Sequence, residues 1–169
     1  VTCPILRYHP SIVAQACATL ACLAPGRVYL GVGTGEALNE YSSVGQWPEY
    51  TVRQAQLGEA IELMRALWRD EPVTHHGDYF QTHQAKIYSL PRESIPIYVS
   101  SLVPDSAYFA GLHGDGLFTV GGEAPELYQE MVKNFEAGAK KAGRDGARAP
   151  KIIEVAADFT NDKSAAIAA

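Results

Sequence analysis

Short apolar runs alternate with amphipathic stretches along this chain, and one glycine-rich turn, VYLGVGTGEALNE from Val28 to Glu40, marks where the alternation is sharpest. An apolar strand runs into Gly31, Gly33 and Gly35, and Glu36 then opens a helix. Glycine lets a flat ligand or a phosphate come close to the backbone. A helix start offers free N–H groups and the positive end of a dipole. Glu36 is therefore a candidate acid/base group at the carboxyl end of a strand, where α/β folds place their chemistry. A dinucleotide fingerprint does not fit, because Glu36 stands where G-x-G-x-x-G/A needs its third small residue. No Lys-Ser or Lys-Thr pair follows to make a P-loop. The purely structural alternative is a tight turn capped by Thr34 and Glu36.

The same alternation continues on both sides. Val1 to Cys3 reads as the tail of a strand, and Pro10 sits in the first turn of a helix that Pro25-Gly26 stops. Ile12, Val13, Ala16, Leu20 and Leu23 form its expected apolar stripe. Val28 to Val32 reads as a strand buried on both faces. A polar loop with Trp47-Pro48 leads to a helix from Tyr50 to Trp68, whose Leu57, Ala60, Ile61, Met64, Leu67 and Trp68 recur at helical spacing. His76-Gly77-Asp78 reads as the turn of an inserted hairpin within Val73 to Tyr88. Strands at Ile95 to Ser101, Gly116 to Thr119 and Lys151 to Ala157 follow, with helices from Pro104 and from Pro125 to Ala142, and a further helix beginning at Asp162.

Five strands with four completed intervening helices suit either a doubly wound sheet or a (β/α)8 barrel. A whole barrel needs about 250 residues. The expectation is thus α/β: a partial TIM barrel, residues 1–169 forming the central portion of one barrel domain, incomplete at both ends. A complete flavodoxin-like domain of five strands is the alternative. Two open strand edges would favour a homodimer.

Composition limits function by exclusion. With 47% hydrophobic residues, 20% charged and a net charge of −5, the profile is that of a globular domain without a basic nucleic-acid face. No apolar run is long enough to span a bilayer, and a cytoplasmic location is expected. Cys3, Cys17 and Cys22 have no C-x-x-C spacing, so reduced thiols are expected, Cys17 and Cys22 in the core.

The segments VTCPILRYHPSIVAQA, PGRVYLGVGTGEALNE, WPEY, LMRALW, IPIYVSS, AGLHGDGLFTVGG and ELYQEM together resemble the luciferase-like superfamily of flavin and deazaflavin oxidoreductases. Within it the chain resembles the F420-dependent glucose-6-phosphate dehydrogenase family, especially the hydroxymycolic acid dehydrogenase branch. The resemblance implies a TIM barrel binding coenzyme F420 at the carboxyl ends of its strands, and hydride transfer between an alcohol-type substrate and that deazaflavin. By position it implies that Val1 supports the ring at a non-proline cis peptide, and that Cys3, Thr34, Gly35 and Asn39 contact the cofactor. Glu36 matches the acid beside the ring. Leu102, Val103, Asp105 and Ser106 match the segment whose amides hold the cofactor phosphate.

Thr119 lies at the substrate position, and there the sequence departs from the family. The sugar-phosphate enzymes carry a lysine after this strand, whereas this chain has Gly122. Losing that contact to a phosphate forfeits roughly 1.5–3 kcal/mol, which favours a neutral or lipid-like alcohol. The family's catalytic histidine and its tryptophan neighbour correspond to a stretch ahead of Val1. Two other readings remain open: an FMN-dependent luciferase-like monooxygenase, and a non-catalytic barrel fragment serving as an interaction module.

Other residues read as structural. His75 and His76 point to opposite faces of a strand, and no ligand set completes them, so no metal is expected. His9 and His113 fit a loop and a helix end, and Lys140-Lys141 suits a helix C-terminus. Cys3 lacks a His-Asn or His-Asp arrangement that would make it a nucleophile. Arg7 reads equally as a contact to the cofactor's acidic tail or as a surface salt bridge.

Overall fold

A computed structural model describes residues 3–121 and 125–155. Val1, Gly122 and the helix expected from Asp162 lie outside the described residues. In chain order the elements are β1 (Cys3–Pro4), α1 (Pro10–Leu23), β2 (Leu30–Gly33), α2 (Ala37–Val44), α3 (Tyr50–Leu67), β3 (Val73–His76), β4 (Gln81–Ala85), β5 (Ile97–Ser100), α4 (Pro104–His113), β6 (Gly116–Val120), α5 (Pro125–Lys141) and β7 (Lys151–Glu154). The expected hairpin is present as the antiparallel pair β3–β4.

The main sheet runs β1-β2-β5-β6-β7, parallel throughout. Each strand therefore neighbours the next one in the chain once the hairpin is set aside. A doubly wound domain needs a reversal of strand order at a switch point. None occurs here, so the flavodoxin-like alternative is overturned and the sheet is an arc of barrel wall. Right-handed crossovers in a single direction place the helices on one face of such an arc.

That one-sidedness bears on two expectations. The strand expected over Val28–Val32 begins only at Leu30 and is enclosed within itself, Leu30, Val32 and Gly33 buried and Gly31 half-buried, while Tyr29 just ahead of it is half exposed and stacks on Tyr98 at 4.8 Å between ring centroids. On α1, Ile12, Leu20 and Leu23 are exposed, and the buried residues are Pro10, Val13, Ala14, Ala18 and Ala21. Alanines at i, i+4 let α1 lie close to its neighbours, and Trp68 Nε1 donates to Ala14 O at 2.9 Å across that contact. For the same reason Cys17 is only half-buried and Cys22 is exposed. The α3 stripe is as expected, with Leu57, Ala60, Ile61, Met64 and Leu67 all in the core.

Two contacts fix the periphery. α4 and α5 meet through glycines: a Cβ on Gly111 would stand 1.9 Å from Phe135 O, and one on Gly138 would stand 2.1 Å from Tyr108 O. The hairpin is latched to α3 by Glu59, whose carboxylate accepts from the Phe80 amide at 2.8 Å and the Tyr79 amide at 3.0 Å and meets His75 Nε2 at 3.1 Å. His76 faces away and is exposed, as alternate residues of a strand must.

Candidate active site

Two cavities open where the strands end. The first, about 190 Å³, lies between the rim Gly33-Thr34-Gly35-Glu36, the start of α3 and the segment from Ser100 to Ser106 leading into α4. Of the residues singled out from sequence, Thr34, Gly35, Glu36, Leu102, Val103 and Ser106 line this one space. The second, about 470 Å³, is bounded by Leu102, Thr119, Val120, Leu127, Tyr128 and Met131 among others. Leu102 borders both, so the cavities adjoin.

The rim owes its shape to Gly35, which has φ +80, a left-handed conformation suited to glycine. Glu36 is the N-cap of α2 in extended conformation, but its side chain makes no capping hydrogen bond. The turn-capping alternative for Glu36 thus fails. Its carboxylate is exposed to the cavity and accepts from Asn39 Nδ2 at 3.4 Å. Asn39 itself does not line the cavity.

At the opposite wall, Ser106 Oγ accepts from the Val103 amide at 3.3 Å and donates to Val103 O at 2.8 Å, tying the first turn of α4. Pro104 removes one N–H, so the amides of Asp105 and Ser106 remain at the helix start. The Asp105 side chain is exposed and outside the lining. Thr119 is buried, lines the second cavity, and has its hydroxyl 3.8 Å from Met131 Sδ. Cys3 is half-buried and lines neither cavity; burial pushes its thiol up, with Arg7 pulling it down and Glu40 pushing it further up. It is a poor thiolate, consistent with the absence of a nucleophilic arrangement.

Arg7 proves to be a salt-bridge residue. Its Nε is 2.7 Å from Glu40 Oε2 and its Nη2 is 3.0 Å from Glu40 Oε1, a two-pronged pair. The sequence reading missed Glu40, although its position four residues after Glu36 places it one turn on along the same helix. It also missed Tyr50, Ser101 and Arg53. Tyr50 lines the first cavity; its phenol accepts from Gln54 Nε2 at 3.0 Å, and burial pushes its pKa up against the opposing pull of Ser106 and Arg53. The hydroxyl stays protonated and can donate. Ser101 is buried, lines the same cavity, and its Oγ has no partner among the described residues. Arg53 stacks over Trp47 at 3.7 Å and donates to Pro48 O, pinning the loop that delivers Tyr50. Only the WPEY segment hinted at this arrangement, through a tryptophan placed for a cation. Among the described residues no cluster of three His, Cys, Asp or Glu side chains is disposed to hold a metal ion.

The parallel barrel wall brings a glycine-softened rim, the exposed Glu36 carboxylate and the start of α4 to one cavity. The chain belongs to the luciferase-like monooxygenase family, whose model matches residues 2–169. It is 46% identical over 167 residues to F420-dependent glucose-6-phosphate dehydrogenase 1 of Rhodococcus jostii, covering 97% of this chain and 50% of that protein. To the F420-dependent glucose-6-phosphate dehydrogenase of Gordonia bronchialis it is 43% identical over 97% of the chain and 49% of the relative. Among solved structures it is similar to an F420-dependent secondary alcohol dehydrogenase in complex with an F420-acetone adduct, with TM-score 0.86 and 44% identity, covering 90% of this chain and 47% of that one. The chain spans about half the length of the relatives it matches.

Proposed function

We propose that this chain is the central portion of a barrel oxidoreductase that uses coenzyme F420 to oxidise an alcohol-type substrate or, in reverse, to reduce the corresponding carbonyl. The observation that carries the reading is the convergence of the Gly33–Glu36 rim, the buried unpartnered Ser101 hydroxyl and the α4 start on one cavity. A buried hydroxyl without a partner costs about 1–3 kcal/mol unless a ligand satisfies it. Those residues fit a flat ring bearing a polar, anionic tail. The Asp105 and Ser106 amides and the Tyr50 phenol would hold the anionic part, and Thr34 and Gly35 would face the ring. When bound, the deazaflavin supplies a hydride acceptor at its C5.

This chain's own contribution is the proton. Oxidation of an alcohol removes a hydride from carbon and a proton from oxygen, leaving a carbonyl. Glu36 is exposed to the cavity and among the described residues is paired only with an amide, so it can take or return that proton or pass it to solvent. Among the described residues the neighbouring cavity has a lining without a charged side chain, and Leu127, Met131 and Ile153 make it apolar. It suits the body of an uncharged alcohol better than a sugar phosphate, in line with Gly122 where a lysine would serve a phosphate.

The test is a fluorescence titration of F420 into the full-length protein, followed by absorbance of the deazaflavin on adding secondary alcohols or glucose 6-phosphate. Saturable binding with turnover of the uncharged alcohol is expected. No saturable change defeats the cofactor assignment, and turnover of glucose 6-phosphate alone defeats the substrate class. A purified protein carrying a flavin spectrum would turn the reading to FMN.

A further inference from the structure

Glu40 is the one fully buried carboxylate among the described residues, at 2% exposure, and its two oxygens are both taken by a single guanidinium. Arg7 and Glu40 belong to different βα units. Arg7 lies three residues beyond the end of β1, and Glu40 lies in the first turn of the helix that follows β2, the strand paired in register with β1 through Cys3 with Val32 and Pro4 with Gly33. The pair therefore bridges two successive loops on the face where the cavities open. Neither residue is in the lining of the two cavities described above.

The Glu40 stem also supports the rim directly. A Cβ on Gly35 would stand 2.6 Å from Glu40 Cγ and 3.1 Å from Cδ, so the Gly35 backbone rests on this side chain. At the same time the Glu40 amide donates to Glu36 O at 2.9 Å and the Asn39 amide donates to it at 3.1 Å. Glu36 is thus held at its carbonyl by the α2 turn, while the residue before it is held by the carboxylate that Arg7 grips.

We propose that the Arg7–Glu40 pair is a positioning clasp that sets the backbone of the Gly33–Glu36 rim, and through it the place of the Glu36 carboxylate. The inference rests on the proposed function for its catalytic meaning, but not for its structural one. A two-pronged guanidinium–carboxylate pair fixes both distance and orientation, which a methylene contact of equal volume does not. Glu40 is buried but Arg7 keeps a third of its side chain exposed, and such a pair adds little to stability when both partners are replaced together by apolar side chains, so position and stability can be separated by substitution.

The experiment compares the full-length protein with the double variant Arg7→Met/Glu40→Leu and with Arg7→Lys, which keeps the charge but loses the fork. Amide hydrogen exchange is read peptide by peptide, with thermal unfolding alongside. In both variants peptides spanning residues 33–40 should exchange faster by about tenfold or more, while α3 peptides keep their wild-type rates. Unchanged exchange at the rim overturns the clasp, and so does acceleration spread evenly through α3. F420 titration of the same proteins gives the second readout: the dissociation constant should rise in step with rim exchange. Failure of the wild-type protein to bind F420 would count against the proposed function alone, since rim exchange decides the clasp without any ligand.

Discussion

Ser101 shows how a single hydroxyl reports on a site. The fold buries it at 2% exposure with no partner among the described residues, so the hydroxyl carries a cost until a ligand satisfies it. Ser101→Ala should leave thermal stability equal or higher, by up to about 1 kcal/mol, because an unsatisfied group is removed. The same variant should bind F420 several-fold more weakly by fluorescence titration; unchanged affinity would remove Ser101 from the site. Glu36→Gln makes the complementary test. It should lower kcat by about 10²–10⁴-fold with little change in cofactor affinity, the loss expected for a general acid/base group. At this scale the sequence was legible where a residue's backbone role is local: Gly35 and Glu36 follow from the strand–glycine–helix pattern. Glu40, Tyr50 and Ser101 were not: Glu40 is distinguished by burial and by Arg7 far back along the chain, Tyr50 and Ser101 by the cavity they line, and spacing reveals neither.

At the level of elements, periodicity served α3 well and α1 badly. α3 is packed on one broad side, so its large apolar residues and its buried ones coincide. α1 packs through Ala14, Ala18 and Ala21, and its large residues face outward, which inverts the usual rule that the bulkiest stripe is the inner one. The glycine contacts between α4 and α5 were equally hidden. Gly111→Ala should cost about 1–3 kcal/mol in chemical denaturation, since the added carbon meets the Phe135 carbonyl, a backbone atom that cannot swing aside. The hairpin, read correctly from its turn, carries a pH signature. Burial alone would raise the Glu59 carboxyl, but the Phe80 amide, His75 and the Tyr79 amide outweigh it and hold its pKa below the ordinary value. A depressed carboxylate adds stability that is complete above its unfolded pKa and disappears as pH falls through the folded one. Glu59→Gln should therefore flatten the decline in denaturation midpoint on acidification below about pH 5. A slope equal to wild type would assign that decline to other carboxylates.

For the molecule as a whole, strand order decided what alternation alone left open. The sequence offered a barrel or a doubly wound sheet, and consecutive parallel neighbours exclude the second. Helices on one face also explain the half-covered tyrosines on the other, which no local pattern announces. Among the described residues β1 and β7 end the sheet with unpaired edges. Residues 1–169 produced alone should self-associate with rising concentration, measured by light scattering, because such edges template pairing. A monodisperse monomer at high concentration would show that those edges are protected.

The glycine lock between α4 and α5 has a last consequence. One helix begins at the wall of the smaller cavity and the other lends Leu127, Tyr128 and Met131 to the larger, while at their far ends backbone touches backbone with no give. A molecule that tilts either helix must carry the other along. The expected consequence is linked occupancy of the two chambers, read as a change in the affinity for a guest in one when the other is filled; equal affinities would show the lock transmits nothing.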